Sequence, residues 1–590
     1  MFDPRIYRAA LVPILLAVGI AAFSLRPEPP AATTALATDA FNGTRAFSGP
    51  LGLTTLAAEY PDRRPGSDGD GALADLVRET LAPGFQVSTH RFFAQTIDGR
   101  RQLETVVGVR QGLSPQRIVV LAHRDAAASP ATADLSGTAA LLELAHDISG
   151  RALSKTIVLV STSGGSGGDA GAADWAGQAA GGPVEAVIVL GDLASDHTGP
   201  KPLVVPWGAG RGLAPSFVER TVGTALMTET GEDAGGTPVL DQFARLAVPV
   251  TLGEQGAAVA AGLPAVLLSA SGERDVPANA PVSSTNLEGY GRTVLRTILA
   301  LDAAPVPSSD VVARELSTAD KLVPEWAITL VIAALILPVL LTAADGLARV
   351  RRRGERLTPW LLWALACSVP FLLAVGLARL LVPLKLLHAA PPAVVGSGTL
   401  PLDGGGLGLL AAEALVVVLG LLGVRLARRW LSGGEPPAGG APAGILLIVA
   451  CLTTIGVLIV NPFAAALAVP MLHLSLLALA PELRLRRAAA LVLLALGLIP
   501  LVLVALSYGQ AFSLGLLQIA WSSLLLVASG AVGLGSLVAW SILLGCLAGA
   551  VAAIVSRQAH PREQLVVTVR GPLGYAGPGS LGGTSSTLRR

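Results

Sequence analysis

Cysteine is nearly missing from this chain of 590 residues: there are 3, Cys367, Cys451 and Cys546, each inside an apolar run. Residues 1–366 hold none, which excludes a disulfide or a Cys-ligated metal there. Charge is also scarce, at 14% of residues where a soluble globular chain carries about 25%. The deficit is local, because Trp326 to Ser556 holds only 13 basic and 6 acidic residues in 231 positions. With 52% hydrophobic residues and a mean hydropathy of +0.62, this excludes a wholly soluble protein. A net charge of +1 without a basic stripe argues against a nucleic-acid partner. Histidine is sparse too, with 7 in the chain and none between His197 and His388.

Long apolar runs are abundant. Residues 9–24 form one, with Arg5 and Arg8 before it. No small-x-small cleavage site follows closely, because Leu25-Arg26-Pro27-Glu28 intervenes. The run is read as an uncleaved signal-anchor, with a cleaved signal peptide as the alternative. Further runs lie near 326–344, 359–381, 406–425, 443–460, 463–480 and 488–506, and 511–556 has room for one or two more. Arginine-rich segments at 349–356, 425–429 and 484–487 fall on the side of Arg5 and Arg8, as the positive-inside rule requires. The expected layout is a signal-anchor helix (1–30), an extracytoplasmic domain (40–305), a linker (306–325) and a transmembrane bundle (326–556). A tail, 557–590, follows and is disordered from Gly571, where Gly and Ser dominate. Eight spans are expected, or nine if 514–529 crosses separately. The protein is thus expected in a cell membrane, with the lipid bilayer as its first partner and residues 40–320 outside.

Within 40–305, short β-branched runs at Arg117–Ala122, Thr156–Val160 and Val184–Leu190 alternate with helical spacing over 133–148. That alternation predicts an α/β domain, a mainly parallel sheet covered by helices on both faces. Ligands of such sheets bind beyond the carboxyl ends of the strands. His123, Ser163 and Asp192 follow those ends, so one site can draw on all three.

The order of motifs resembles the co-catalytic dizinc exopeptidase family, which includes leucyl aminopeptidases, glutamate carboxypeptidase and glutaminyl cyclase. The residues carrying the resemblance are Arg64-Pro-Gly-Ser67, Val119 to Asp125, Ser136 to Ala145, Val187 to Asp192 and Ala261 to Leu268. The layout, one anchor, a peptidase-like domain and a multi-span bundle, is similar to that of endoplasmic-reticulum and vacuolar membrane metallopeptidases. The resemblance implies two zinc ions sharing a water. Their ligands are a His of a His-x-Asp motif, a bridging Asp, a Glu, a later Asp and a final His. A second Glu acts as general base. It implies His123, Asp134 and Asp192 as candidate metal ligands and Asp125 as the group that orients the imidazole.

The match is incomplete. Asp134 is one place along from the family's bridging Asp, a turn of roughly 100° on a helix, so helix capping competes with metal binding there. Gly164 and Gly165 stand at or near the Glu-Glu pair, and the final His is missing. Asp169 is a weak candidate base, and Glu254, Glu273 and Asp275 lie near the position of the final His but are poor electronic matches for it. Ser161 to Gly171 reads as a flexible surface loop, since it lacks the lysine of a phosphate loop. Asp196-His197 reads as a solvated turn. The expected function is a degenerate, metallopeptidase-like binding or scaffold protein of the cell envelope, holding a peptide or an envelope protein. No cofactor is expected; zinc is, if the site works. An active membrane zinc aminopeptidase is one alternative. The other is a transporter or lipid-handling bundle with a receptor domain, to which Glu413, Asn461 and His473 in the apolar runs would contribute.

Overall fold

The computed structural model describes residues 4–557 apart from 211, 306–313, 319, 388–389, 397, 432–436 and 438–439. The tail read as disordered and the first part of the 306–325 linker lie outside the described residues. Seven strands form one sheet: β1 (Gln86–Thr96), β2 (Gly99–Arg110), β3 (Ser114–His123), β4 (Lys155–Thr162), β5 (Val184–Leu190), β6 (Val204–Val205) and β7 (Ala265–Leu268). Their order is β1-β2-β4-β3-β5-β7-β6. β3 runs parallel to β4 and β5, and β5 to β7. The β1–β2, β2–β4 and β6–β7 pairs are antiparallel.

The sheet is therefore mixed, and the expectation of a mainly parallel one is corrected. The cause is local. Thr96 pairs with Gly99 across a two-residue connection, Ile97-Asp98, and Gly99 has φ +87°. A connection that short joins only antiparallel strands.

Helices α1 (Asp68–Leu81), α2 (Ser136–Ser149), α3 (Ala170–Ala179), α4 (Ser216–Thr230), α5 (Val239–Ala247), α6 (Gln255–Ala260) and α7 (Ser284–Ala303) surround the sheet, with the short helices Gly43–Ser48 and Leu53–Glu59 before them. Strand residues alternate between its two faces. Ile118, Val120, Ile157, Leu159 and Ile188 pack with α1, α2, α4 and α7. Val119, Leu121, Val158, Val160 and Val187 pack with α3 and α6. Both faces are covered, as a sheet with fully buried central strands requires.

The described residues hold seven helices long and apolar enough to cross a membrane, and eight if the bent pair Arg487–Leu496 and Ile499–Ala511 (43°) is one span. The others are Pro4–Phe23, Glu325–Arg352, Thr358–Leu381, Gly404–Arg428, Gly440–Val460, Pro462–Leu479 and Leu534–Val555. Leu516–Ser529 has 14 residues, about 21 Å at 1.5 Å per residue, short of the roughly 30 Å hydrocarbon core. That length removes the support for a ninth span. In the second part of the linker, Glu315–Thr318 and Lys321–Pro324 pair antiparallel, and Arg26–Pro27 adds to the second strand. The exit of the first apolar helix is thus tied to the entry of the next.

Candidate functional site

The carboxyl ends of the parallel strands open into a cleft of about 670 Å³ lined by His123, Asp134, Asp192, Glu254, Glu273 and Asp275, among others. The backbone around it is fixed from beneath. Arg124, between His123 and Asp125, is fully buried and ion-pairs with Asp70 at 2.8 Å. It also donates to the carbonyls of Ser161 and Glu104 at 3.2 and 2.6 Å. One guanidinium thus ties β3 to β4, β2 and α1. Ser163 turns away from the cleft and donates to Asp70 at 2.5 Å.

His123 ends β3, with its Nδ1 3.5 Å from Glu254 Oε2. Burial acts to strip its proton, but Glu254, Asp125 and Asp134 outweigh this and raise its pKa to about 9. The Glu254 carboxylate thus faces Nδ1 and favours the protonated imidazole. Glu254 is held in turn by Thr162 Oγ1, which donates at 2.6 Å. Asp125 does not reach the imidazole as an orienting partner. It accepts from Gly165 N (3.0 Å), Ser166 N (3.1 Å) and Ser166 Oγ (2.6 Å), pinning the loop after β4.

Asp192 is similarly engaged, because its Oδ1 accepts from Ala194 N and Ser195 N at 3.0 and 2.9 Å and its Oδ2 from Ser271 Oγ. Asp134 lies in a 3-10 turn before α2 and caps nothing, since the α2 N-cap, Leu135, makes no side-chain cap bond. Its carboxyl lines the cleft. Burial raises its pKa to about 7, with Asp275 and Asp192 adding to the rise and His123 and Arg63 opposing it. Asp169 is buried with φ +54°, and its Oδ1 has no hydrogen-bond partner. Burial, with Glu254 and Asp125, raises its pKa well above the carboxylate range.

The loop after β4 is packed, not a solvated surface segment. Ser161, Thr162, Ser163, Gly164, Gly167 and Asp169 are buried. Gly165 sits where the resemblance calls for a glutamate, and a Cβ built there would lie 2.4 Å from His123 Cβ and 3.0 Å from Glu254 Cδ. Glu254, carried in from the start of α6, occupies the space beside His123 that a side chain at 165 would need. Sequence reasoning weighed Glu254 only as a poor substitute for the final His. Its pairing with His123 is visible only once α6 is seen beside the β3 end. Asp196 and His197 are exposed, as expected for a solvated turn.

Among the described residues, no three His, Cys, Asp or Glu side chains converge to hold a metal ion. The Asp125 and Asp192 oxygens are engaged by backbone and serine donors, and His123 is engaged by Glu254.

No protein-family model matches the chain, and no curated protein matches it in sequence. Solved structures similar to it include a leucine aminopeptidase precursor from Bacteroides thetaiotaomicron (16% identity, TM-score 0.36), covering 44% of this chain and 97% of that one. A glutaminyl cyclase from Porphyromonas gingivalis (18%, TM-score 0.32) covers 44% and 98%. A zinc aminopeptidase from Bacillus subtilis (12%, TM-score 0.36) covers 46% and 98%.

Proposed function

We propose that this is a membrane-embedded binding protein of the cell envelope whose exopeptidase-like domain holds a chain end without hydrolysing it. The observation that carries this reading is the packing at Gly165. The space a catalytic glutamate would need is filled by Glu254, which neutralises His123 instead of activating water. The cleft still presents Asp134, Asp192, Glu273 and Asp275 against Arg64, Arg274 and the His123–Glu254 pair. Asp134 makes no hydrogen bond among the described residues, so its carboxyl is available to a ligand. Such a lining favours a protonated amine, as on the amino terminus of a peptide or envelope protein.

The reading puts the α/β domain outside the membrane. In support, Arg428 and Arg557 bond Ser556 Oγ and the Ala478 carbonyl at one end of the bundle. The α/β domain contacts the bundle at Asn461, Ser507 and Tyr508 instead. Isothermal titration of the full chain in detergent with Leu-Gly-Gly, and mass spectrometry of the recovered peptide, test the reading. Binding of intact peptide, weakened about tenfold or more in Asp134→Asn by loss of a charge-assisted bond, is expected. Release of free leucine would contradict it.

A further inference from the structure

The wall of the cleft facing the bundle does not belong to the α/β domain. Val394, Val395, Gly396, Gly398 and Thr399, between the apolar helices Thr358–Leu381 and Gly404–Arg428, line it. Glycines on both sides permit their close approach. A Cβ on Gly168, in the loop after β4, would lie 2.3 Å from Pro391 Cβ, and one on Gly396 2.2 Å from Asp275 Oδ2. Gly398 N donates to Asp275 at 3.2 Å. The segment therefore touches the cleft at the β4 loop and again at the loop after β7.

It is also anchored in the bundle. Val394 is buried with Tyr508 and Phe512, and Leu252, another cleft residue, packs against the same cluster. Beneath that cluster, the Arg245 guanidinium of α5 lies 4.5 to 5.1 Å from the rings of Tyr508, Trp207 and Phe512. Arg245 ion-pairs at 2.5 Å with Glu273, a cleft residue. Bundle, apolar wall and acidic wall are thus fixed to one another by a buried cation held among three aromatic rings.

We infer that the membrane half of the chain completes the cleft, and that Val395, which like Leu252 lines it, selects the ligand by contact with an apolar side chain next to the amine. Val394 is the anchor, seated on Tyr508 and Phe512, while Val395 is half-buried on the cleft lining. The inference rests on the reading above only for the amine. The apolar contact is argued from the wall itself.

The test uses the full chain in lipid nanodiscs and three probes, leucinamide, glycinamide and N-acetyl-leucinamide, with dissociation constants measured for wild type, Val395→Ser and Val395→Leu. Apolar contacts of this size change affinity by about tenfold or more. Wild type is expected to prefer leucinamide to glycinamide by that factor. Val395→Ser should remove most of the preference while glycinamide binds as before, and Val395→Leu should keep it. Equal weakening of both amides in Val395→Ser, or an unchanged preference, overturns the inference and leaves the amine reading standing. N-acetyl-leucinamide binding as tightly as leucinamide, with the preference still dependent on Val395, overturns the amine reading and leaves the inference standing. Binding of none of the three overturns both.

Discussion

His123 and Gly165 decide what the cleft does, and each is set by a neighbour distant in sequence. The Glu254 carboxylate, 131 positions along, stands 3.5 Å from the imidazole and favours its protonated form. Gly165 lacks a side chain where one would collide with both. Gly165→Glu, which restores an acid where the resemblance calls for one, is therefore expected to lower thermal stability. Overpacking of this kind costs about 1–3 kcal/mol, and zinc uptake should not rise. A higher melting temperature with bound zinc would show that the two carboxylates coexist. Away from the cleft, Asp147 carries a second consequence of burial. Its pKa is raised to about 7 by burial and by Glu143, against Arg45 and Arg151. A carboxyl whose folded pKa lies above its unfolded value gives stability that is full below the unfolded value, near 4. That contribution is lost as the pH rises through the folded value. Asp147→Asn does not titrate, so its melting temperature relative to wild type should climb from pH 4 to pH 8. A difference constant across that range would contradict the assignment.

Among the elements, the fully buried strands were legible because β-branched runs of that length have few other uses. β3, β4 and β5 lie where Arg117–Ala122, Thr156–Val160 and Val184–Leu190 predicted them. The β1–β2 hairpin went unread, although Asp98-Gly99 is a hairpin signal, and that omission is why the sheet was expected to be mainly parallel. The site was legible in its positions and not in its partners. Strand ends placed His123 and Asp192 at one cleft, but nothing local announces that α6 brings Glu254 to His123 or that Val394, Val395, Gly396, Gly398 and Thr399 form a wall. Polar side chains of the apolar runs also find helix partners. His473 Nδ1 takes the Tyr7 hydroxyl at 2.7 Å and its Nε2 bonds the Leu335 carbonyl at 2.8 Å, joining three helices. Asn461 caps its own helix and donates to the Leu246 and Ala247 carbonyls of α5. Both are helix contacts, whereas Glu413 Oε1 is buried without a hydrogen-bond partner among the described residues. The seating of α5 rests most on Arg245. Arg245→Met leaves Glu273 buried without its cation and should cost about 3–5 kcal/mol. Asn461→Ala removes neutral hydrogen bonds of about 1 kcal/mol each. Thermal melts of the full chain that rank the two variants the other way would contradict this account of the contact.

For the whole molecule, the α/β domain is a cap on the bundle, with the arginine-bearing helix ends at the far side. Cysteines introduced singly at Arg100 and Arg353, both exposed, test that orientation in intact cells, since the three native cysteines are buried. An impermeant thiol reagent should label position 100 and spare 353; the reverse pattern would invert the topology. The central claim, that the cleft binds without a catalytic metal pair, is met most directly by zinc analysis of the full chain purified in detergent and assayed with leucinamide. A zinc site needs three or four protein ligands, and Asp125, Asp192 and His123 are already engaged. The account predicts less than one tightly held zinc per chain and no ammonia released from leucinamide. Two zinc ions per chain, with turnover abolished by a chelator and by His123→Ala, would contradict it.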